Sequence, residues 1–111
     1  MTSAWFLLGF AIVAEITAAL ALRFSDGFTK PLPALVALVA FGSAFYLISL
    51  VLQSLPVSIV YPIWAGAGAA GVALLGVLAL RERANITMGV GIALVIAGII
   101  VLNLASGGAS A

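Results

Sequence analysis

Residues 57–80 read VSIVYPIWAGAGAAGVALLGVLAL, 24 positions without one charged side chain. Crossing a hydrocarbon core of about 30 Å takes roughly 20 apolar residues as a helix, so this stretch is long enough to span a bilayer. Working outward, three more windows have the same character. Residues 34–52 and 86–104 are each 19 residues without a charge, and 4–22 is 19 residues whose only charge is Glu15. The joints are 23–33, the short turn Gln53-Ser54-Leu55-Pro56, and Arg81-Glu82-Arg83-Ala84-Asn85. The expected fold is an all-α membrane protein, one domain over 1–111 with four transmembrane helices, each antiparallel to the one before because the connections are short. A strand barrel is excluded, since the windows are continuously apolar and do not alternate. In the first joint Ser25-Asp26-Gly27 and the prolines Pro31 and Pro33 are expected to stop helix, and the small, polar tail 105–111 to fray.

Composition agrees. Of the 111 residues 66% are hydrophobic and 6% charged, with four basic and three acidic side chains, no histidine and no cysteine. A soluble domain carries about a quarter charged residues to wet its surface, and here the apolar surplus runs along nearly the whole chain, leaving no soluble domain beside an anchor. A net charge of +1 cannot neutralise a run of phosphates, which excludes nucleic acid as a partner. Without Cys or His the usual zinc and thiol sites are gone, and no metal site is expected. The first span lacks a basic segment before it and has a carboxylate in its middle, so it reads as a retained helix and not as a secretory signal. Arg23, Lys30, Arg81 and Arg83 all lie in the first and third joints, which places those loops in the cytoplasm and both termini outside.

Glu15 is twelfth in its 19-residue window, near mid-bilayer. An ionised carboxylate facing lipid there costs roughly a few kcal/mol. Its side chain is too short to reach the interface, and no span offers a Lys or Arg to pair with it. A membrane-embedded proton or cation site is the reading that remains. Ala11, Ile12, Ala18 and Ala19 lie three and four positions away, and small residues leave room for a neighbouring helix or a ligand.

Tyr61 and Trp64 are three apart and so share a helical face. Such aromatics most often serve packing or interface anchoring, but beside a carboxylate with no protein cation they form a cage for a lipophilic organic cation. In the same span Pro62 cannot donate to the Ser58 carbonyl, and Gly66-Ala67-Gly68-Ala69-Ala70-Gly71 lowers the cost of bending. Two uses stay open for these glycines, a kink and close helix packing. In the fourth span Gly91 and Gly98, seven apart, share a face with a tight helix-helix seam as the expected use. Four helices with one ionisable group hardly enclose a solvated pathway, so a pair of chains, eight helices and two carboxylates, is expected from size.

The residues together resemble the small multidrug resistance family, essentially end to end. The resemblance is carried by Ala14-Glu15, by Phe24-Ser25-Asp26-Gly27-Phe28-Thr29-Lys30 with Pro33, by Leu55-Pro56, by Tyr61-Pro62-Ile63-Trp64-Ala65-Gly66-Ala67-Gly68, and by Gly91 to Gly98 followed by Asn103. It implies an antiparallel dimer in the bacterial inner membrane that exports cationic, often quaternary-ammonium, aromatic compounds in exchange for protons. It needs no cofactor, the proton gradient being the energy source. By that likeness Glu15 binds protons or substrate, Tyr61 and Trp64 line the site with Ala11, Ala18, Phe41 and Phe45, Pro62, Gly66 and Gly68 bend the third helix, and the Gly91 to Gly98 face is the dimer seam.

The chain departs from the family pattern at a few positions. Guanidinium-exporting members usually carry Trp three residues after the central Glu; Ala18 stands there, which favours the branch for broad, hydrophobic cations. Phe41 and Ala44 replace a common Tyr and Ser, removing two polar contacts, and Pro62 replaces a common Ala. The four-to-none Lys/Arg bias leaves two kinds of partner open, a second copy of the chain or an oppositely oriented paralogous subunit. The competing functional classes are an exporter of guanidinium or polyamine cations, a lipid-linked flippase subunit, a rotor or channel subunit, and a non-transporting accessory protein. An enzyme is not expected, because apart from Glu15 the spans hold no nucleophile, base or metal cluster.

Overall fold

A computed structural model describes residues 2–105; the tail 106–111, expected to fray, lies outside the described residues. Four helices follow one another: α1 (Thr2–Phe24), α2 (Pro31–Val51), α3 (Val57–Leu78) and α4 (Ile86–Ala105). Each is long and apolar enough to cross a membrane. The ends differ from expectation most clearly at the start of α2. Pro31 opens the helix and Pro33 lies inside its first turn, with Lys30 as the extended N-cap. Proline has no N–H to lose there, because the first amides of a helix have no internal partner, so the prolines start α2 and do not precede it.

The joints explain themselves locally. Ser25 is fully buried, and its hydroxyl donates to the Leu22 carbonyl at 2.7 Å while accepting the Phe28 amide at 3.1 Å. Its carbonyl accepts the Thr29 and Lys30 amides, both at 3.0 Å. Around this knot Asp26, Gly27 and Phe28 all take left-handed φ values of 54°, 71° and 66°, which turns the chain back on itself in a few residues. In the second joint Leu55 tucks inward at 3% exposure. In the third, the Asn85 side-chain oxygen accepts the Met88 amide at 2.8 Å and caps the start of α4.

The helices pack in a flattened arrangement with principal extents of 42, 34 and 17 Å. α1 lies against both α2 and α3, and α3 in turn carries α4. On α1 the stripe Ala4, Leu8, Ala11 and Ala18 is buried, and Glu15 falls on the same stripe. α2 answers with Ala34, Ala37, Ala44, Ile48 and Val51. Lipid tails are as apolar as these side chains, so van der Waals packing holds the seam, and alanine at nearly every turn is what lets two backbones come close. By contrast, α4 contributes no buried residue.

The first and third joints meet at one end of the bundle, where the Arg23 Nε and Glu82 Oε2 atoms are 4.0 Å apart. Every charged residue except Glu15 lies in these two joints or, as Arg23, in the last turn of α1 that leads into the first.

Candidate functional site

Glu15 is half-buried in the middle of α1 and rests on α3 at Gly68. The contact is so close that a Cβ on residue 68 would overlap Glu15 Oε1 and come within 2.7 Å of its Cδ and 3.2 Å of its Oε2. Only glycine leaves space for the carboxyl group there. One residue on, Ile16 lies over Gly71 in the same way. Glu15 Oε1 is buried without a hydrogen-bond partner in the protomer.

Trp64 lies one helical turn before Gly68, so it shares the α3 face that receives the carboxylate. It is buried at 7% exposure, and its indole Nε1 also lacks a hydrogen-bond partner. Its ring meets Tyr61 edge-on, with centroids 6.0 Å apart and planes at 73°, and meets Phe45 of α2 at 5.8 Å and 78°. Phe45 stacks on Phe41 at 6.4 Å and 22°. The four aromatics expected around the site therefore form one continuous row across α2 and α3. Tyr61 and Phe45 stay open at 58% and 60% exposure, whereas Trp64, between them in the row, is its buried member, one turn before the seat of the carboxylate. Chemically the arrangement offers one negative charge, an indole donor and several π faces, the complement of a lipophilic cation.

Two of the expected cavity residues are covered within the protomer. Ala11 and Ala18 have no exposed surface, and Ala11 belongs to the core with Ala44, Ile48 and Val51. They pack helices together and line no open surface. The helical period brought them to the face of Glu15, but a methyl group on that face fits a neighbouring helix as well as a ligand. Ala44 is fully buried too, so the missing hydroxyl at this position is a change in packing within the protomer.

α3 runs unbroken through Pro62 and the glycines. Of the two uses left open for those glycines, close packing is realised at three of them: Gly66 lies under Val95 and Ile99 of α4, with both contacts at 3.3 Å for an added Cβ, while Gly68 and Gly71 receive α1. Gly91 and Gly98 have open space where a Cβ would stand, so no other element of the protomer packs closely on either glycine. Two grooves of about 340 Å³ lie away from the carboxylate, one lined by Trp5, Ile12, Ile63 and Ile99 among others, the other by Ala69, Ala73, Met88 and Gly91 among others. Ile16 and Gly71 were not singled out as site residues from the sequence. The signal was present: Tyr61, Trp64, Gly68 and Gly71 follow one another at spacings of 3, 4 and 3 and so share one face.

A family profile described as Small Multidrug Resistance protein matches residues 3–95. The Quaternary ammonium compound-resistance protein QacE of Escherichia coli is 40% identical over 102 residues, covering 92% of this chain and 93% of the relative. A Guanidinium exporter of Yersinia pestis is 38% identical over 103 residues, covering 93% of this chain and 99% of the relative. Multidrug resistance protein EbrA of Bacillus licheniformis is 38% identical over 104 residues, covering 94% and 99%. With four apolar spans and a match of this reach, the chain belongs to the small multidrug resistance family and is a multi-pass protein of the bacterial inner membrane.

Proposed function

We propose that this protein exports hydrophobic, quaternary-ammonium cations across the membrane in exchange for protons, with Glu15 as the shared site. The observation that carries the proposal is the placement of Glu15: it is the sole carboxylate in the four helices, seated on Gly68 with a buried, unpartnered oxygen, where Trp64 and its row of aromatics stand one turn before that seat. A carboxylate that holds a cation must first give up its proton. The two ligands are therefore mutually exclusive, and an inward proton gradient drives the cation out.

The relatives' names include both quaternary ammonium resistance and guanidinium export. The site's own chemistry favours the first. Guanidinium presents a planar fan of N–H donors and wants acceptors around it. Phe41, Phe45 and Trp64 give rings and no acceptor oxygen, and Ala18 is packed away from any ligand.

Assembly as an antiparallel pair is part of the same reading. It is supported by Gly91 and Gly98 of α4, on which no other element of the protomer packs closely, and by an unpartnered carboxylate oxygen that a single chain does not satisfy. Pro62, Gly66 and Gly68 are where α3 would bend as access alternates, because an amide is missing at Pro62 and glycine backbones deform cheaply.

The test is transport in liposomes with an acidic interior, where proton efflux should drive uptake of a quaternary ammonium dye. Glu15→Gln should abolish uptake, and gradient-driven transport that survives it refutes the proposal. The same vesicles challenged with guanidinium, polyamine, quaternary and neutral compounds would separate the two substrate readings.

A further inference from the structure

We infer that Ile16 of α1 and Gly71 of α3 form a positioning pair that fixes how the Glu15 carboxylate sits, a role that rests on the transport reading given above. Glu15 and Ile16 are neighbours on α1, while Gly68 and Gly71, which receive them, are one turn apart on α3. The two contacts thus form a two-point key between the helices. One point carries the functional group, and the other is purely apolar.

The apolar point is the stiffer one. A Cβ on residue 71 would overlap the Ile16 Cδ1 atom and stand 3.2 Å from its Cγ1. Rotation about the outer torsion of isoleucine can move Cδ1 away, but Cγ1 is fixed by a β-branched side chain that keeps one strongly preferred rotamer in a helix. The remaining way to relieve the tight Cγ1 contact is to part α1 from α3 by a few tenths of an ångström. Glu15, one residue away, has to move with the backbone. The carboxyl group, by contrast, is the far end of a flexible side chain and holds nothing in place by itself. On this geometry Ile16 on Gly71 sets the helix separation, and the seat of Glu15 on Gly68 follows from it. The pair touches neither proton nor substrate and acts only through Glu15.

The chain has two glutamates, Glu15 and Glu82, so protein labelled with carbon-13 at the glutamate carboxyl carbon gives two assignable signals, the Glu15 signal being the one missing in Glu15→Gln. Spectra at one pH without ligand and binding of tetraphenylphosphonium would be measured for Gly71→Ala, Ile16→Ala and the double variant. Gly71→Ala should move the Glu15 signal, leave the Glu82 signal in place and weaken binding fivefold or more. Ile16→Ala removes both Cδ1 and Cγ1, so the double variant should return the signal and bring affinity within twofold of the parent. If Gly71→Ala does not fold, Ile16→Ala loosens the same contact without a clash and should shift the same signal. An unmoved Glu15 signal, unchanged affinity, or a Gly71→Ala defect that Ile16→Ala does not relieve overturns the pairing. A parent protein that fails to bind tetraphenylphosphonium would sink the transport reading instead, and the ligand-free spectra would still decide the positioning role.

Discussion

The seam between α1 and α2 and the whole of α4 are equally apolar, yet they are built for different neighbours. At the seam, alanines at Ala11, Ala18, Ala37 and Ala44 have no exposed surface. On α4 the best-covered stripe, Met88, Ile92, Ile99 and Leu102, is only half-buried, and Gly91 and Gly98 face open space. Hydrophobicity therefore does not distinguish a finished surface from an unfinished one in a membrane. What distinguishes them is whether small residues already have a backbone lying on them.

The largest effect should come from breaking this contrast at the seam. Ala11→Leu or Ala37→Leu inserts three carbons where no surface is exposed, and overpacking of this kind costs about 1–3 kcal/mol. Thermal unfolding of the detergent-solubilised protein should fall accordingly. The matched changes Ala93→Leu and Ala97→Leu fall on exposed positions of α4 and should leave the protomer's unfolding unchanged. Equal losses at both places would show that α4 is packed as tightly as the seam.

Next is Gly68→Ala. The added methyl must displace the Glu15 carboxyl group, the far end of a flexible side chain, so folding should survive while the site does not. Tetraphenylphosphonium affinity is expected to drop tenfold or more, about 1.4 kcal/mol, with little change in unfolding temperature. Retained affinity would mean that the carboxylate does not act from its seat on α3. A third test concerns the open glycines. Gly98→Leu grows from a Cβ position with no atom of another element within 4 Å and should leave the fold intact, but chemical cross-linking in native membranes should show fewer dimers. A protomer destabilised by this change would place a helix of the same chain on that face.

How much of this was legible depends on what each residue could reveal alone. The spans were legible from length and the absence of charge, and Glu15 stood out because charge is so scarce. Tyr61 and Trp64 were legible from their spacing. The start of α2 was misread, because a proline that ends one helix can equally open the next, and only the cap geometry at Lys30 decides between them. Ala11 and Ala18 were legible as sharing the face of Glu15, but their burial within the protomer was not, since the helical period tells which residues share a face and not what lies opposite. The seats of Glu15 on Gly68 and of Ile16 on Gly71 depend on α1 meeting α3, a pairing that no span announces by itself.

The smallest expected effect belongs to a second glutamate on a second glycine. At the loop end of the bundle Glu82 lies over Gly76, where a Cβ would stand 2.6 Å from its Oε1 atom, the same kind of overlap as Glu15 makes with Gly68. Here the carboxylate is half exposed, and its ion pair with Arg23 spans 4.0 Å between side chains that are 50% and 66% exposed. Water and salt screen such a pair, so little energy depends on holding it together. The side chain can swing into solvent when a methyl group arrives. Gly76→Ala and Glu82→Gln should therefore both leave unfolding temperature unchanged and dye transport within twofold of the parent. If Gly76→Ala instead impaired transport as severely as Gly68→Ala, steric displacement of a glutamate would not account for the Gly68 effect, and a bending role common to the α3 glycines would explain both better than the seating of Glu15.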